Sequence, residues 1–387
     1  LELSSAASDV YKRQISFRDL VIQKRENDLV AASFGRGFFV LDDYSALREM
    51  VKKEYLNSEG KLFKPRDAKL FKPRNALGNT GGQYYVAENP TFGAVFTYYL
   101  KDVPETIKSK RKKMESSLNS QNQDIPFPGY DSLTAEMREK PAQLLLSIND
   151  SEGNLIRNVN QRASKGTGKI VWDLKHKSYN TITSRSGWRQ MSGPFVTPGN
   201  YYATLYIKKD GALEKIDGPI EFGVNLLREG VLKGASFEEY NSHAADLAII
   251  YKEYLKYYDT FSRFQSKLNL LEKALMLTES LSEEMFIELE NVKNQYLSIR
   301  DKYGTDPAKN EIGEWDKPTI SSRLSIASQG LSTFYGPTGM NKYNLEIARE
   351  LVDEYKNDIE SINTIIEDIE EKIKDLNHPH ISGSGIN

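Results

Sequence analysis

Nine apolar residues near the C-terminus, Ala348, Val352, Tyr355, Ile359, Ile362, Ile366, Ile369, Ile373 and Leu376, alternate spacings of four and three. A repeat of that period lays one continuous seam along a helix, and such a seam is stable in water only against another helix. Residues 235–303 contain neither Gly nor Pro, and Phe237, Tyr240, Ala244, Leu247, Tyr251, Tyr254, Tyr258 and Phe261 recur there at the same spacing, which gathers them on one face. Ser280 with Glu283 resembles a capping box and divides this stretch into two helices. Pro318 opens a shorter third helix, and Gly336-Pro337 separates it from the fourth. The expectation is an antiparallel helical bundle over 235–377, followed by a flexible tail, 378–387. The alternative is a helical scaffold in the cytosol whose seam pairs with a second copy.

The chain has 387 residues, which at roughly 150 residues per domain leaves room for further domains before the bundle. Lys+Arg 52 against Asp+Glu 54 gives a net charge of -2, with no basic excess of the kind nucleic acid demands. No apolar run approaches the ~20 residues of a spanning helix. The absence of cysteine removes disulfide scaffolds, thiolate zinc sites and cysteine nucleophiles, and leaves the compartment open.

The N-terminal side reads as strands. Residues 1–14 are set apart first, because Asp9-Val10-Tyr11-Lys12-Arg13-Gln14 resembles the translated transposon end used to prepare sequencing libraries; a native polar arm is the alternative. Nothing there has the basic start, apolar core and small-residue cleavage site of a leader. In 15–46, Leu20-Val21-Ile22, Leu29-Val30-Ala31-Ala32 and Phe38-Phe39-Val40-Leu41 are short apolar runs divided by a polar turn and by Gly35-Arg36-Gly37, so three strands are expected. Three strands cannot bury both their faces alone. Residues 47–92 read as an extended linker in which Leu62-Phe63-Lys64-Pro65-Arg66-Asp67-Ala68 is nearly repeated as Leu70-Phe71-Lys72-Pro73-Arg74-Asn75-Ala76. Pro blocks helix, so this is either a strap that pins Phe63 and Phe71 onto a neighbouring surface or a duplication without a role. Residues 93–226 return to strands at 94–100, 143–148, 169–172 and 201–207, with turns at Asn149–Asn154 and Pro198-Gly199-Asn200. That spacing suggests a β-sandwich of immunoglobulin or fibronectin type with Trp172 in its core, interrupted by a basic insertion, 104–141, carrying Lys108, Lys110, Arg111, Lys112 and Lys113. The run reads as a solvated helix or loop diluted by Glu115, Asp124 and Glu136.

No residue pattern assembles a catalytic, cofactor or metal site. There is no GxxxxGK[ST] loop, no HExxH and no GxSxG elbow, and Gly35-Arg36-Gly37 lacks the third glycine and following helix of a dinucleotide site. His378-Pro379-His380 is a poor metal site in a tail, and His176 and His243 have no partner at ligand spacing. Glu283-Glu284 and Glu370-Glu371 read as solvated helix faces. Asp42-Asp43 reads as a strand-ending turn or helix cap, and Asp150, Glu152 and Asn154 as a hairpin turn in preference to a calcium site.

Several motifs in order do carry a resemblance. Asp28-Leu29-Val30-Ala31-Ala32-Ser33-Phe34-Gly35-Arg36-Gly37-Phe38-Phe39-Val40-Leu41-Asp42-Asp43 resembles the closing blade of bacterial BNR-repeat, sortilin-type β-propeller proteins. Asn89-Pro90-Thr91-Phe92-Gly93-Ala94, the run Thr97–Lys101, the basic stretch Lys108–Lys113, the hairpin Ile148–Asn154, Gly168–Leu174, Pro198–Tyr201 and Gly336-Pro337-Thr338-Gly339 are similar to segments that follow it. The resemblance implies a multidomain β plus α chain: a terminal propeller blade, a sandwich and a helical bundle. It further implies a secreted, periplasmic or cell-envelope setting and a non-catalytic portion that supports its own N-terminal propeller and offers a protein- or glycan-binding surface. The family is commonly labelled glycosyl hydrolase, so the alternative is an accessory part of a sialidase-like enzyme, with Arg36 or Asp42 at the propeller rim. No Asp-box turn of the SxDxGxTW kind occurs in this chain, and fold likeness alone transfers no chemistry.

Overall fold

The period of the apolar pattern changes from two to three and a half along the chain, and the fold changes with it. A computed structural model describes residues 16–35, 37–72, 90–182, 192–279, 281–374, 376 and 381. The chain divides into a β-rich unit, Leu1–Lys177 with Val196–Glu229, and a helical unit, Ser178–Phe195 with Gly230–Asn387. It is thus mixed β plus α, with a helix-rich C-terminal region and a sheet curled like a half-barrel.

The β-rich unit begins with a meander of β1 (Phe17–Gln23), β2 (Asp28–Ser33) and β3 (Phe38–Leu41), followed by α1 (Ser45–Val51). Strands β4 (Gly60–Leu62), β5 (Ala68–Leu70), β6 (Ala94–Leu100), β7 (Gln143–Asn149), β8 (Leu155–Arg162) and β9 (Gly166–Trp172) come next. The last strands are β10 (Lys175–Lys177), β11 (Ser192–Phe195, grouped with the helices), β12 (Gly199–Lys209) and β13 (Ala212–Leu226). Two helices, α2 (Ile107–Ser120) and α3 (Tyr130–Arg138), form the insertion between β6 and β7.

Two sheets share one core. A five-stranded sheet has the order β5-β13-β12-β7-β8, and a three-stranded sheet the order β4-β6-β9. In β6 and β7 alternate side chains are buried, the period-two pattern of a strand with one face inward. Phe96 meets Phe222 edge to face at 5.0 Å, and Trp172 meets Tyr201 at 5.4 Å and Phe222 at 6.0 Å. These rings come from both sheets, so the sheets face each other across an aromatic centre in which Trp172 is fully buried.

Of the expected linker, 47–92, residues 47–72 and 90–92 are described. Its repeat supplies β4 to one sheet, antiparallel to β6, and β5 to the other, parallel to β13. Leu62, Phe63 and Leu70 are buried, and Phe71 meets Phe92 edge to face at 5.0 Å. Pro65 lies between the two strands; it cannot donate to a ladder, and there the chain leaves one sheet for the other. Strands β8 and β13 also escaped the sequence reading. The first is masked by exposed Asn158 and half-buried Arg157 and Asn160, the second by Asp217-Gly218-Pro219, which reads as a turn. In the fold Gly218 has φ +105, and a Cβ there would lie 2.6 Å from the Ala203 carbonyl oxygen, so the strand continues through a register shift that only glycine fits. Asp217 ties this point to β4 by accepting the Leu62 N–H at 2.9 Å, the Gly218 N–H at 2.8 Å and Lys61 at 3.1 Å. Burial alone would raise its pKa; those two amides and Lys61 outweigh it and hold the carboxyl below the usual range.

The helical unit contains α4 (Phe237–Met276), α5 (Glu283–Tyr303), α6 (Pro307–Glu311), α7 (Ile320–Gln329) and α8 (Gly339–Lys374). Ser236 and Glu239 form a capping box at the start of α4. The cap of α5 is Ser282, whose side chain accepts the Met285 N–H; Ser280, where the sequence placed it, lies outside the described residues. Every seam residue of α8 from Ala348 to Ile373 is buried within the chain itself.

The expected antiparallel arrangement holds only in part. Lys342–Glu239, Arg349–Asp246 and Lys356–Glu253 pair at 3.0, 3.2 and 3.4 Å with one constant offset of 103 residues, which requires α4 and α8 to run parallel. Against α5 the order reverses: Lys302 reaches Asp358 at 2.9 Å and Lys372 reaches Glu288 at 2.8 Å. The first, second and last long helices therefore run up, down and up, with α6 and α7 in the return. Exposed pairs of this kind contribute only about 0.2–1 kcal/mol each, but at heptad spacing they fix the register of the parallel helices.

Two consequences can be measured. Ile366 is fully buried in the seam, so Ile366→Ala should cost about 2–5 kcal/mol in chemical denaturation; a loss below about 1 kcal/mol would mean the seam is not packed. Burial and Tyr258 and Tyr251 push the Tyr254 phenol up to about 12, the Glu360 hydrogen bond does the same to Tyr257, and burial raises Tyr303 to about 12. Phenols raised in the folded state stabilise it fully below their unfolded pKa of about 10, and that contribution is lost as pH climbs from about 10 through about 12. Far-UV circular dichroism should show helix loss inside this window, whereas helicity unchanged to its upper end would contradict the buried phenols.

Candidate functional site

The residues singled out for chemistry serve local structure. Asp43 Oδ1 accepts the Ser45 N–H at 3.2 Å and its hydroxyl at 2.6 Å, and the Asp43 N–H donates to Asp28 at 3.0 Å; this is a turn, and the cap position of α1 is Tyr44, with no side-chain cap bond. Asp42 is half-buried at the end of β3, and Arg36 lies outside the described residues. Asp150 accepts the N–H groups of Glu152 and Asn154 at 3.0 and 2.8 Å, and the Asn154 amide donates to Asp150 and Glu152 at 3.1 and 3.3 Å. Both Asp150 oxygens and one Glu152 oxygen thus serve the hairpin itself. Buried His243 donates from Nε2 to the Ala327 carbonyl at 3.0 Å, and His176 is lowered by burial. His378 and His380 lie outside the described residues.

In the basic insertion, Arg111 is held by Glu136 at 2.6 and 2.9 Å and by Glu115 at 2.5 Å, while Lys113 pairs with Glu105. Glu370, of the pair Glu370-Glu371, binds Lys267 at 2.6 Å, and Glu283 and Glu284 occupy the first turn of α5, where the helix dipole favours them.

The meander β1–β3 is different, because its side chains lack the burial its composition calls for. Residues opposite one another across an antiparallel ladder share a face. Leu20 faces Ala31 and Ile22 faces Leu29 between β1 and β2, while Ala31 faces Phe39 and Leu29 faces Leu41 between β2 and β3. A bulge between Phe17 and Asp19 swings Phe17 to the same side, where it meets Phe39 edge to face at 5.7 Å. One face of this sheet is therefore apolar but for Ser33, opposite Phe17. The other carries Val21, Val30, Val40 and Phe38 in registered rows with Asp19 and Ala32, and ends in the polar pair Gln23 and Asp28. Phe17 is 53%, Leu20 61%, Val21 56% and Phe38 76% exposed. A sheet with apolar residues on both faces has the composition of one covered on both sides, and neither side is covered by the described residues.

The meander is nonetheless held in place at its turn. Arg66 lies 3.4 Å from the Glu26 carbonyl, 3.7 Å from the Glu26 carboxylate and 3.6 Å from Asp28. Beside it, Asp67 accepts the Gly223 N–H at 2.9 Å and the Asn225 amide at 3.2 Å. The first repeat copy thus joins the meander to β13 through adjacent side chains. Sequence reasoning passed over Arg66 and Asp67. The one available signal was that the copies differ there, with Asn75 standing in the place of Asp67.

No family model matches this chain, and no curated protein matches it. Among solved structures, dimeric latent PorU from Porphyromonas gingivalis is similar at 11% identity over 51% of this chain, with a TM-score of 0.19. This chain spans 12% of the length of that protein, and a likeness at that score carries no inference about fold or function.

Proposed function

We propose that this chain is a non-catalytic portion of a secreted or cell-envelope propeller protein of the BNR-repeat, sortilin type. In this reading β1–β3 is a terminal blade, the two-sheet unit is an immunoglobulin-type sandwich, and the helical unit is a supporting bundle. Its work is to cap and position a propeller and to offer a surface to a protein or glycan. The observation that carries the proposal is the exposed meander: a propeller blade packs both of its faces against neighbouring blades, and β1–β3 has apolar residues on both faces with nothing described against them.

The sandwich reading draws on the sheet order β5-β13-β12-β7-β8 against β4-β6-β9 and on the Tyr201 hydroxyl, which donates to the Thr197 carbonyl at 2.7 Å. A tyrosine near the start of a late strand that bonds back to the backbone a few residues upstream is a feature of immunoglobulin-type sandwiches.

Two measurements test this. Reading the source DNA upstream of Ile15 should reveal several repeats of short strands; a start codon and leader directly before Ile15 would remove the propeller. Asp-box turns with an arginine cluster there would give the enzyme reading instead. In hydrogen exchange on this chain alone, amides of 17–41 should exchange faster than those of β7 and β12, because a sheet lacking its neighbours opens readily. Uniformly slow exchange across the meander would show that it is complete as it stands.

A further inference from the structure

The imidazole of His243 is engaged on one side only. Its Nε2 meets the Ala327 carbonyl at 3.0 Å. A carbonyl only accepts, so the ring proton sits on Nε2 and Nδ1 keeps its lone pair. Nδ1 takes no hydrogen bond among the described residues. Among those residues the buried side-chain polar atom that lacks a partner is Arg323 Nε, so Nδ1, which lacks one too, is open to solvent. His243 is only 5% exposed, and its opening is a groove of about 610 Å³ that it lines between the N-terminal ends of α4 and α8.

The groove is acidic. Glu239 and Asp246 on α4 pair with Lys342 and Arg349 of α8 at 3.0 and 3.2 Å. Glu238 and Glu346, one on each helix, line it as well and have no ion-pair or hydrogen-bond partner among the described residues. Helix N-termini attract anions, but here that role is filled from within. Glu238 and Glu239 stand in the first turn of α4, and the caps Ser236 and Thr338 take the Glu239 and Asn341 N–H groups. Besides the two paired cations and the Ser242 hydroxyl, the groove offers a visitor one imidazole lone pair and two carboxylates, all acceptors, and the apolar side chain of buried Leu345.

We infer that this groove binds a primary alkylammonium, with its N–H groups on His243 Nδ1 and the Glu238 and Glu346 carboxylates and its methylenes against Leu345. An ammonium has three donors on a rotatable stem, one for each of the three acceptors. The group belongs either to a free polyamine or to a lysine side chain of another protein. The site lies wholly within the helical unit and does not depend on a propeller preceding this chain.

The probe is putrescine, titrated into the full chain in phosphate buffer by isothermal titration calorimetry. Saturable binding is expected, and tetramethylammonium, a cation with no N–H to donate, should not compete with it. Glu346→Gln should weaken binding by about threefold or more, the size of an exposed ion pair. Glu371→Gln removes the same charge about seven turns further along α8 and should leave binding unchanged. Nitrogen NMR of the unsubstituted chain gives a readout that needs no variant to fold: the His243 Nδ1 resonance should move on saturation while Nε2 stays protonated. An acetylated and amidated Gly-Lys-Gly peptide separates the two sources. Tighter binding than putrescine assigns the groove to a protein's lysine, and weaker binding assigns it to a free amine. Competition by tetramethylammonium, equal loss in the two glutamine variants, an Nδ1 resonance unmoved at saturation, or no saturable binding overturns the inference.

Discussion

Apolar surface left in water costs roughly 25 cal/mol per Å², so every amphipathic face in this chain needs a partner face. The chain meets that constraint in three ways. The sheets β4-β6-β9 and β5-β13-β12-β7-β8 cover each other, with Trp172, Phe96 and Phe222 between them. The seam of α8 is covered by α4 and α5. The meander β1–β3 is covered by nothing described, and the proposed function follows from that exception.

The polar interactions are arranged around these faces and are subordinate to them. Ion pairs at constant offset set which turn of α4 meets which turn of α8, but the burial of Ile359, Ile362, Ile366 and Ile369 supplies the free energy. In the β-rich unit Asp217 and Asp67 act as clamps. Each carboxylate accepts backbone N–H groups from a strand or turn distant in sequence, so the strap 60–70 is held to β13 at both of its ends. Arg66 extends the same clamp to the turn of the meander. An exposed sheet can thus be held in a fixed position by its turn while both faces remain available.

The candidate site was partly legible. The runs Leu20-Val21-Ile22 and Phe38-Phe39-Val40-Leu41 lack polar alternation, and that alone indicates strands destined for cover on both sides. What the sequence did not disclose is the one-residue bulge at Arg18, which swings Phe17 onto the side of Phe39 and leaves no mark on composition or periodicity. The tandem repeat was visible at once, yet its role was not. Two nearly identical Leu-Phe-Lys-Pro-Arg segments bury their leucines in different sheets, and local sequence cannot state which neighbour a strand will find.

By itself the sequence determined the order of element types, the helix faces and the seam of α8, because these depend on side-chain spacing along one element. It also determined the turn at Asn149–Asn154, which is settled by residues within a few positions of each other. Tertiary structure alone decided the parallel pairing of α4 with α8, the switch of the 60–70 strap between sheets and the continuation of β13 through Gly218. Each of these joins residues far apart in the chain: helix direction follows from how the connection through α6 and α7 returns, and strand partnership from which edge is free. Spacing along a chain fixes which face of an element is apolar; the partner for that face is chosen by packing among all of them.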